Sequence, residues 1–491
     1  MMTTNFMSRR GLLRSGVALG AFGMASSVGS AQAAKIAAKA TAKGGTPALA
    51  KLPARGNFVI RNAYVMTMER DTGDIADGSV HFKVGAIIAV GKDIQAPGAS
   101  VIDGRGTIVM PGMVETHWHM WNTLLRSMSG EKPETGYFRT TTALGIKYEA
   151  GDMYQGTRLG AAEAINSGIT YVHDFCHNIR GFDYATEDLR ALQETGIRAR
   201  FSYGPAQAQP NDKVMNLEDL LRLKNDWAKY SNGGLIDLGF AWRGQGGNNP
   251  ANKIPVDVWR AEIDAARKMS LPVTVHASGS RSVVGQIDGF IKAGVLEKGM
   301  QLIHAGFATP EELKAVAAKG AVVSISPTSE LRIGFGIQQV SEYLDAGVLV
   351  GLSVDTVELT GNADMFGIMK FVQNVENGKR ESEFKLSARR VLELGTIEGA
   401  KSMGMGDKIG SLKAGKRADL IMIDTRAVNL GVFGDPAHMV VTAAQPSNVD
   451  TVVIDGRILK RGGKLTAINP TQVAIEANAA NQALRKRANW A

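Results

Sequence analysis

The sequence predicts an α/β protein: a (β/α)8 TIM barrel with a small composite β-sandwich domain formed by both ends of the chain. Three observations predict it. β-rich stretches flank the body of the chain, short apolar strands alternate with amphipathic stretches eight times between them, and polar side chains recur where those strands stop.

Residues 1–33 read as a twin-arginine signal peptide. Ser8-Arg9-Arg10-Gly11-Leu12-Leu13-Arg14 is followed by a weakly apolar Gly/Ala-rich run, and Ala31-Gln32-Ala33 then places small residues where a signal peptidase reads. The run is too short and too glycine-rich to span a bilayer as a permanent helix, so no stable membrane insertion is expected. Residues 34–55, rich in Ala, Lys, Gly and Pro, read as a flexible linker. The protein is therefore expected to be exported, periplasmic and a client of the twin-arginine export machinery, a route that carries folded proteins.

The leader and linker also explain the charge. The net charge is +9, yet Arg9, Arg10, Arg14, Lys35, Lys39, Lys43, Lys51 and Arg55 fall within the first 55 residues, where there is no acid. Removing those positive charges leaves a nearly neutral body, which excludes nucleic acid as a partner. A hydrophobic content of 44% and a charged content of 21% are those of a globular protein. The single cysteine, Cys176, forms no intramolecular disulfide, so the core alone holds the fold.

Asn57–Met68 and Val80–Val90 read as strands joined by the turn-rich Asp71–Asp77. Strand-rich sequence returns at Ala418–Ile423 and Val449–Ile458, so residues 56–108 and 406–465 are expected to form the composite domain. Residues 109–405 are expected to form the barrel, with strands at Ile108–His117, Ile169–His177, Arg198–Tyr203, Ile236–Trp242, Pro272–His276, Gln301–His304, Ala321–Ser326 and Val348–Asp355. Tyr154–Asn166, Val256–Met269 and Pro310–Ala318 are among the intervening helices. A doubly wound open sheet is the alternative, but no G-x-G-x-x-G follows an early strand. Residues 466–491 read as a C-terminal helical tail.

In a barrel, reactive groups sit where strands end. His117 and His119 end the first strand, His276 the fifth, His304 the sixth and Asp355 the eighth. Alternation puts both imidazoles of His-x-His on one face. A third nitrogen from His276 and an oxygen from Asp355 complete a site for one divalent transition metal, Zn before Fe, with a position left for water. A lone barrel histidine is usually a hydrogen-bonded core residue, but the chain has only eight histidines and four of them belong to this set.

Val109-Met110-Pro111-Gly112-Met113-Val114-Glu115-Thr116-His117-Trp118-His119 resembles the first-strand signature of the amidohydrolase superfamily, with Glu115 where Asp is usual. Leu302-Ile303-His304-Ala305-Gly306, then Thr309-Pro310-Glu311-Glu312-Leu313, resembles the sixth strand of its cytosine deaminase and triazine hydrolase branch. Gly351-Leu352-Ser353-Val354-Asp355 resembles the eighth, and Ile409–Leu420 resembles the return into the small domain.

The resemblance implies a metal-dependent hydrolase that cleaves a C–N bond in an amide, cyclic amide or amino-substituted heterocycle. Displacement of halide or thiolate from a heteroaromatic ring is an alternative, and a non-catalytic metal- or ligand-binding protein is another. Two-metal members carry a bridging lysine at the end of the fourth strand; Ile236–Arg243 has none, which implies one ion. Ring deaminases carry a glutamate three residues after the fifth-strand histidine, and here that position is Gly279. Asp355 is then expected to take the water's proton, with His304 assisting and holding the oxyanion.

Glu330, after the seventh strand, is the nearest replacement acid and is expected to act on substrate. Asp174 and His177 end the second strand and face the mouth if alternation holds, as candidates for substrate contact. Trp121 and Trp242 are candidate walls of an apolar pocket. The expected partners are a small-molecule substrate and the export machinery, and the composition permits a homo-oligomer.

Overall fold

The structure is a computed structural model, and it describes residues 52–490. The leader and most of the linker lie outside the described residues. Five strands precede the barrel: β1 (Asn57–Met66), β2 (Asp74–Lys83), β3 (Ala86–Gly91), β4 (Ser100–Asp103) and β5 (Thr107–Pro111). The barrel strands are β6 (Met113–Trp118), β7 (Ile169–Cys176), β8 (Arg198–Tyr203), β9 (Ile236–Trp242), β10 (Val273–Ala277), β11 (Gln301–His304), β12 (Val322–Ile325) and β13 (Leu349–Leu352). β14 (Leu420–Asp424), β15 (Val449–Ile454), β16 (Arg457–Arg461) and β17 (Lys464–Leu465) follow.

The small domain is one nine-stranded sheet in the order β17-β16-β15-β14-β5-β1-β2-β3, with β4 beside β1. β1 pairs β4 through Phe58–Arg61 and β5 through Tyr64–Val65. Register shifts around Ala63 interrupt its pairing with β2, and Asn62 has φ of 60°. Bulges of this kind bend a strand, so one strand serves two neighbours on the same side. Ile60, Val65, Phe82, Val109, Leu420 and Val453 share one apolar cluster, drawn from both ends of the chain.

The expected strand Val80–Val90 is a hairpin, because Val84 and Gly85 form a tight turn with φ of 48° and 87°. Val449–Ile458 is likewise divided, at Asp455-Gly456. The expected first barrel strand, Ile108–His117, is also two strands. Its front half is β5, in the small sheet, and only β6 enters the barrel. Gly112 makes the corner: a Cβ there would lie 2.1 Å from the Thr170 side chain.

The barrel strands run in sequence order, each parallel to the next. The ring closes just beyond β13, where Asp355 N–H donates to His117 O at 2.8 Å and His119 N–H donates to Asp355 O at 2.7 Å. Closure and the metal-competent residues therefore coincide. Glu115 reinforces the seam: Oε1 accepts the N–H groups of His117 and Val354, and Oε2 accepts that of His173. Burial pushes the Glu115 carboxyl up to about 8 against those three backbone donors.

The helices follow the amphipathic pattern, at Ala150–Asn166, Val256–Lys268 and Pro310–Lys319. The last of these starts on a capping box, in which Thr309 accepts the Glu312 N–H and Glu312 accepts that of Thr309. The tail forms the helix Pro470–Ala488 against Ala150–Asn166, tied by Arg158–Glu476 and Arg487–Asp152. Among the described residues no helix is long and apolar enough to cross a membrane.

The two sheets are joined under the barrel. Arg198 of β8 donates to Asp419 at 3.0 Å and to Asp455 at 3.3 Å, and all three are buried. Asp455 also pairs with Arg417 and Arg55, while Pro53 O accepts from Arg457. Of the stretch expected as a flexible linker, Pro53 and Arg55 are thus held by the sheet, and Leu52 packs on the main apolar core.

Candidate metal centre and its cavity

His117 and His119 end β6, and His276 lies in β10. Their ligand nitrogens lie within 4.8 Å of one another. Asp355 Oδ1 is 3.3 Å from His117 Nε2 and 3.4 Å from His119 Nε2. Two ligand bonds of about 2.1 Å at a tetrahedral angle span about 3.4 Å, so the carboxylate and both imidazoles suit one ion.

The protein leaves these donors free for it. His117 is fully buried and neither ring nitrogen has a hydrogen-bond partner among the described residues. His119 donates Nδ1–H to Phe175 O at 3.0 Å, which leaves Nε2 free to ligate. Asp355 accepts from Ser329 Oγ on Oδ2 at 2.6 Å, which leaves Oδ1 toward the histidines. Burial, aided by neighbouring imidazoles, holds His117, His119 and His276 well below the ordinary histidine range. Neutral imidazole is the form a metal takes.

His304 differs. Burial opposes its cation, but the hydrogen bond and charge of Glu330 outweigh that and raise its pKa. Nδ1 lies 2.8 Å from Glu330 Oε1, and burial in turn raises Glu330. His304 and Asp355 both have left-handed backbones, with φ of 74° and 63°. Each such residue costs about 1–3 kcal/mol and persists only where its surroundings fix it. Here they do, through Ala305 N–H to Ala277 O, Tyr343 Oη–H to His304 O, and the closure bonds of Asp355.

These groups border a cavity of about 460 Å³, which His119, His177, His276, His304 and Asp355 line. The helix Tyr137–Gly145 and the segment around Phe335 cover it, with the Phe138 and Phe335 rings 6.4 Å apart. Sequence reasoning missed these cover residues, along with Gln207, Arg243 and Gln286, because no periodicity marks a loop side chain. Arg243 is engaged by Glu262, Pro210 O and Lys213 O, and Gln286 by Ser278 N–H and Gly246 O.

The other expected contacts need correction. Glu330 does not line the cavity; it stands behind His304. Asp174 faces outward with Cys176, and its Oδ1 accepts Met120 N–H while Asp188 lies beside it. The reason is alternation about Phe175, which takes the inward position between His117, His119 and His276. His177, past the strand end, does line the cavity, and burial pushes its pKa down to about 4. Trp121 is wholly buried and donates its indole N–H to His177 Nδ1 at 3.3 Å. Trp242 packs on Trp259 and Phe290, away from the cavity.

Known proteins share this arrangement of elements. The chain is 28% identical over 443 residues to the 5-methylthioadenosine/S-adenosylhomocysteine deaminase of Acetivibrio thermocellus, covering 85% of this chain and 97% of that one. It is 28% identical over 450 residues to the 5′-deoxyadenosine deaminase of Methanosarcina mazei, covering 88% and 99%. Its fold is similar to that of an adenosine deaminase from Xanthomonas campestris with bound zinc, at a TM-score of 0.78, 20% identity and coverage of 88% and 100%. It is also similar to that of the atrazine chlorohydrolase from Arthrobacter aurescens complexed with zinc, at a TM-score of 0.73, 20% identity and coverage of 86% and 100%. The amidohydrolase family model matches residues 108–459, from β5 through β16, and so takes in every strand end that carries a candidate ligand or the His304–Glu330 pair: the chain is an amidohydrolase-type enzyme and belongs to that family.

Proposed function

We propose that the protein cleaves a C–N bond in an amide, cyclic amide or amino-substituted heterocycle. Its cofactor in this reading is one divalent ion, zinc before iron, held by His117, His119, His276 and Asp355. The observation that carries the reading is His117, a fully buried imidazole with neither nitrogen hydrogen-bonded among the described residues and Asp355 at ligand span. The named activities of the deaminase relatives and the zinc in the two similar structures support it.

A divalent ion bound there supplies Lewis acidity and a water acidified toward neutrality. Asp355 accepts the proton released on attack. His304, held by Glu330 at Nδ1, carries its working proton on Nε2 and delivers it to the leaving nitrogen. The test is removal of metal by chelator and its return as Zn or Fe, with product masses measured for a panel of amides, cyclic amides and aminoheterocycles. Turnover that survives complete metal removal ends this reading.

A second reading, loss of halide or thiolate from a heteroaromatic ring, is favoured by one observation. Among the described residues the only carboxylate lining the cavity is Asp355, and such leaving groups need no acid. The same panel, extended to chloro- and methylthio-triazines, separates the two.

We also propose export to the periplasm through the twin-arginine route, supported by Arg9-Arg10 and Ala31-Gln32-Ala33. Replacing both arginines by lysine should trap the precursor inside the cell; equal export by that variant rejects the route.

A further inference from the structure

His177 lines the cavity beside the candidate ligands, its ring centroid 4.0 Å from that of His119, yet it lies outside the ligand cluster. Its Nδ1 has two neighbours. One is the indole N–H of Trp121 at 3.3 Å, and the other is Phe175 O at 3.4 Å. The two demand opposite tautomers: the indole can only donate, so it needs a bare Nδ1, whereas a carbonyl needs Nδ1–H.

The carbonyl has a better donor already, since His119 Nδ1–H reaches Phe175 O at 3.0 Å. The indole has no alternative, because Trp121 is wholly buried and His177 is the only acceptor it finds among the described residues. A buried indole N–H without an acceptor costs about 1–3 kcal/mol. Trp121 therefore decides the tautomer. Nδ1 accepts, and the ring proton sits on Nε2, which has no hydrogen-bond partner among the described residues.

We infer that His177 is a tautomer-locked hydrogen-bond donor to the ligand at the metal centre, that it reads a carbonyl oxygen or a bare ring nitrogen beside the reacting carbon, and that Trp121 is its positioning residue. This rests on the proposed hydrolytic reading for what the ligand does, but not for the tautomer.

Nitrogen NMR of protein labelled at histidine, with and without zinc, tests it, with His177→Leu identifying the resonance. The expected result is a protonated Nε2 and a bare Nδ1, averaging toward both tautomers in Trp121→Phe. Acetamide, a minimal carbonyl acceptor, should shift the Nε2–H signal. His177→Leu should bind acetamide about three- to tenfold more weakly, the loss of one neutral hydrogen bond, with metal content unchanged. A proton on Nδ1, an Nε2–H signal indifferent to acetamide, or loss of the metal in His177→Leu overturns the inference; the last would make His177 a ligand. Absence of metal from the parent protein would instead strike at the hydrolytic reading, and the tautomer would still be read.

Discussion

Glu330 lies behind His304, with Oε1 2.8 Å from Nδ1 and bonded also to Ser326 N–H at 3.0 Å. The carboxylate reaches the cavity only through the imidazole it holds. This fixes the His304 tautomer, directs Nε2 away from Glu330, and favours the cation that an acid needs.

Glu330→Gln keeps an acceptor but removes the charge. Metal content should be unchanged, and kcat should fall about 10- to 100-fold with KM little altered. Because the charge raises the pKa of His304, the alkaline limb of the pH–rate profile should move to lower pH in the variant. An unmoved limb would separate the dyad from proton transfer.

Ligand removal should read directly in metal content. His117→Ala and His276→Ala should each lose the ion on dialysis, and their thermal midpoints should no longer respond to added zinc, since only a folded site gains from binding. Elemental analysis and calorimetry decide this.

Gly279 lies against the His304 ring: a Cβ there would sit 3.1 Å from Cδ2 and 3.2 Å from Cβ of His304. Gly279→Val should push the imidazole off Glu330 and lower kcat at least as far as Glu330→Gln, with the metal retained. Parental turnover in that variant would show that the ring position matters little.

Lys460 is buried in β16 and donates to Asn166 O at 2.6 Å, and burial pushes its pKa down to about 8. Below pH 8 folded and unfolded chains both hold the proton. Between pH 8 and the ordinary lysine value only the unfolded chain does, so stability should rise with pH across that window, by up to about 1.4 kcal/mol per unit. Urea midpoints should show this rise in the parent relative to Lys460→Met, which has nothing to titrate.

Among the described residues Arg198 is the only cation paired with the buried Asp419. Arg198→Leu strands that carboxylate and should cost about 3–5 kcal/mol in urea unfolding.

Strand ends were legible because barrel chemistry is tied to them: His117, His119, His276, His304 and Asp355 converge from four strand ends far apart in sequence. What alternation could not foresee was which neighbour turns inward. Phe175, bulky and apolar, fills the space among the histidines and displaces Asp174 to the outer face. Glu330 was placed near the chemistry by its position after β12, but sequence spacing does not reveal a side chain standing behind another. The cover was invisible for a similar reason: Phe138 and Phe335 meet over a cavity that exists only once the barrel has closed.

The pairing of β5 with β14 has a consequence for biosynthesis. Pro111 lies opposite Leu420, so the edge of β5 waits for a partner some three hundred codons downstream. At ribosomal speeds of about 5–20 residues per second, that wait is roughly 15–60 s. Throughout it the nascent chain presents an open, apolar strand edge, and the small sheet is sealed only after every barrel strand has been made.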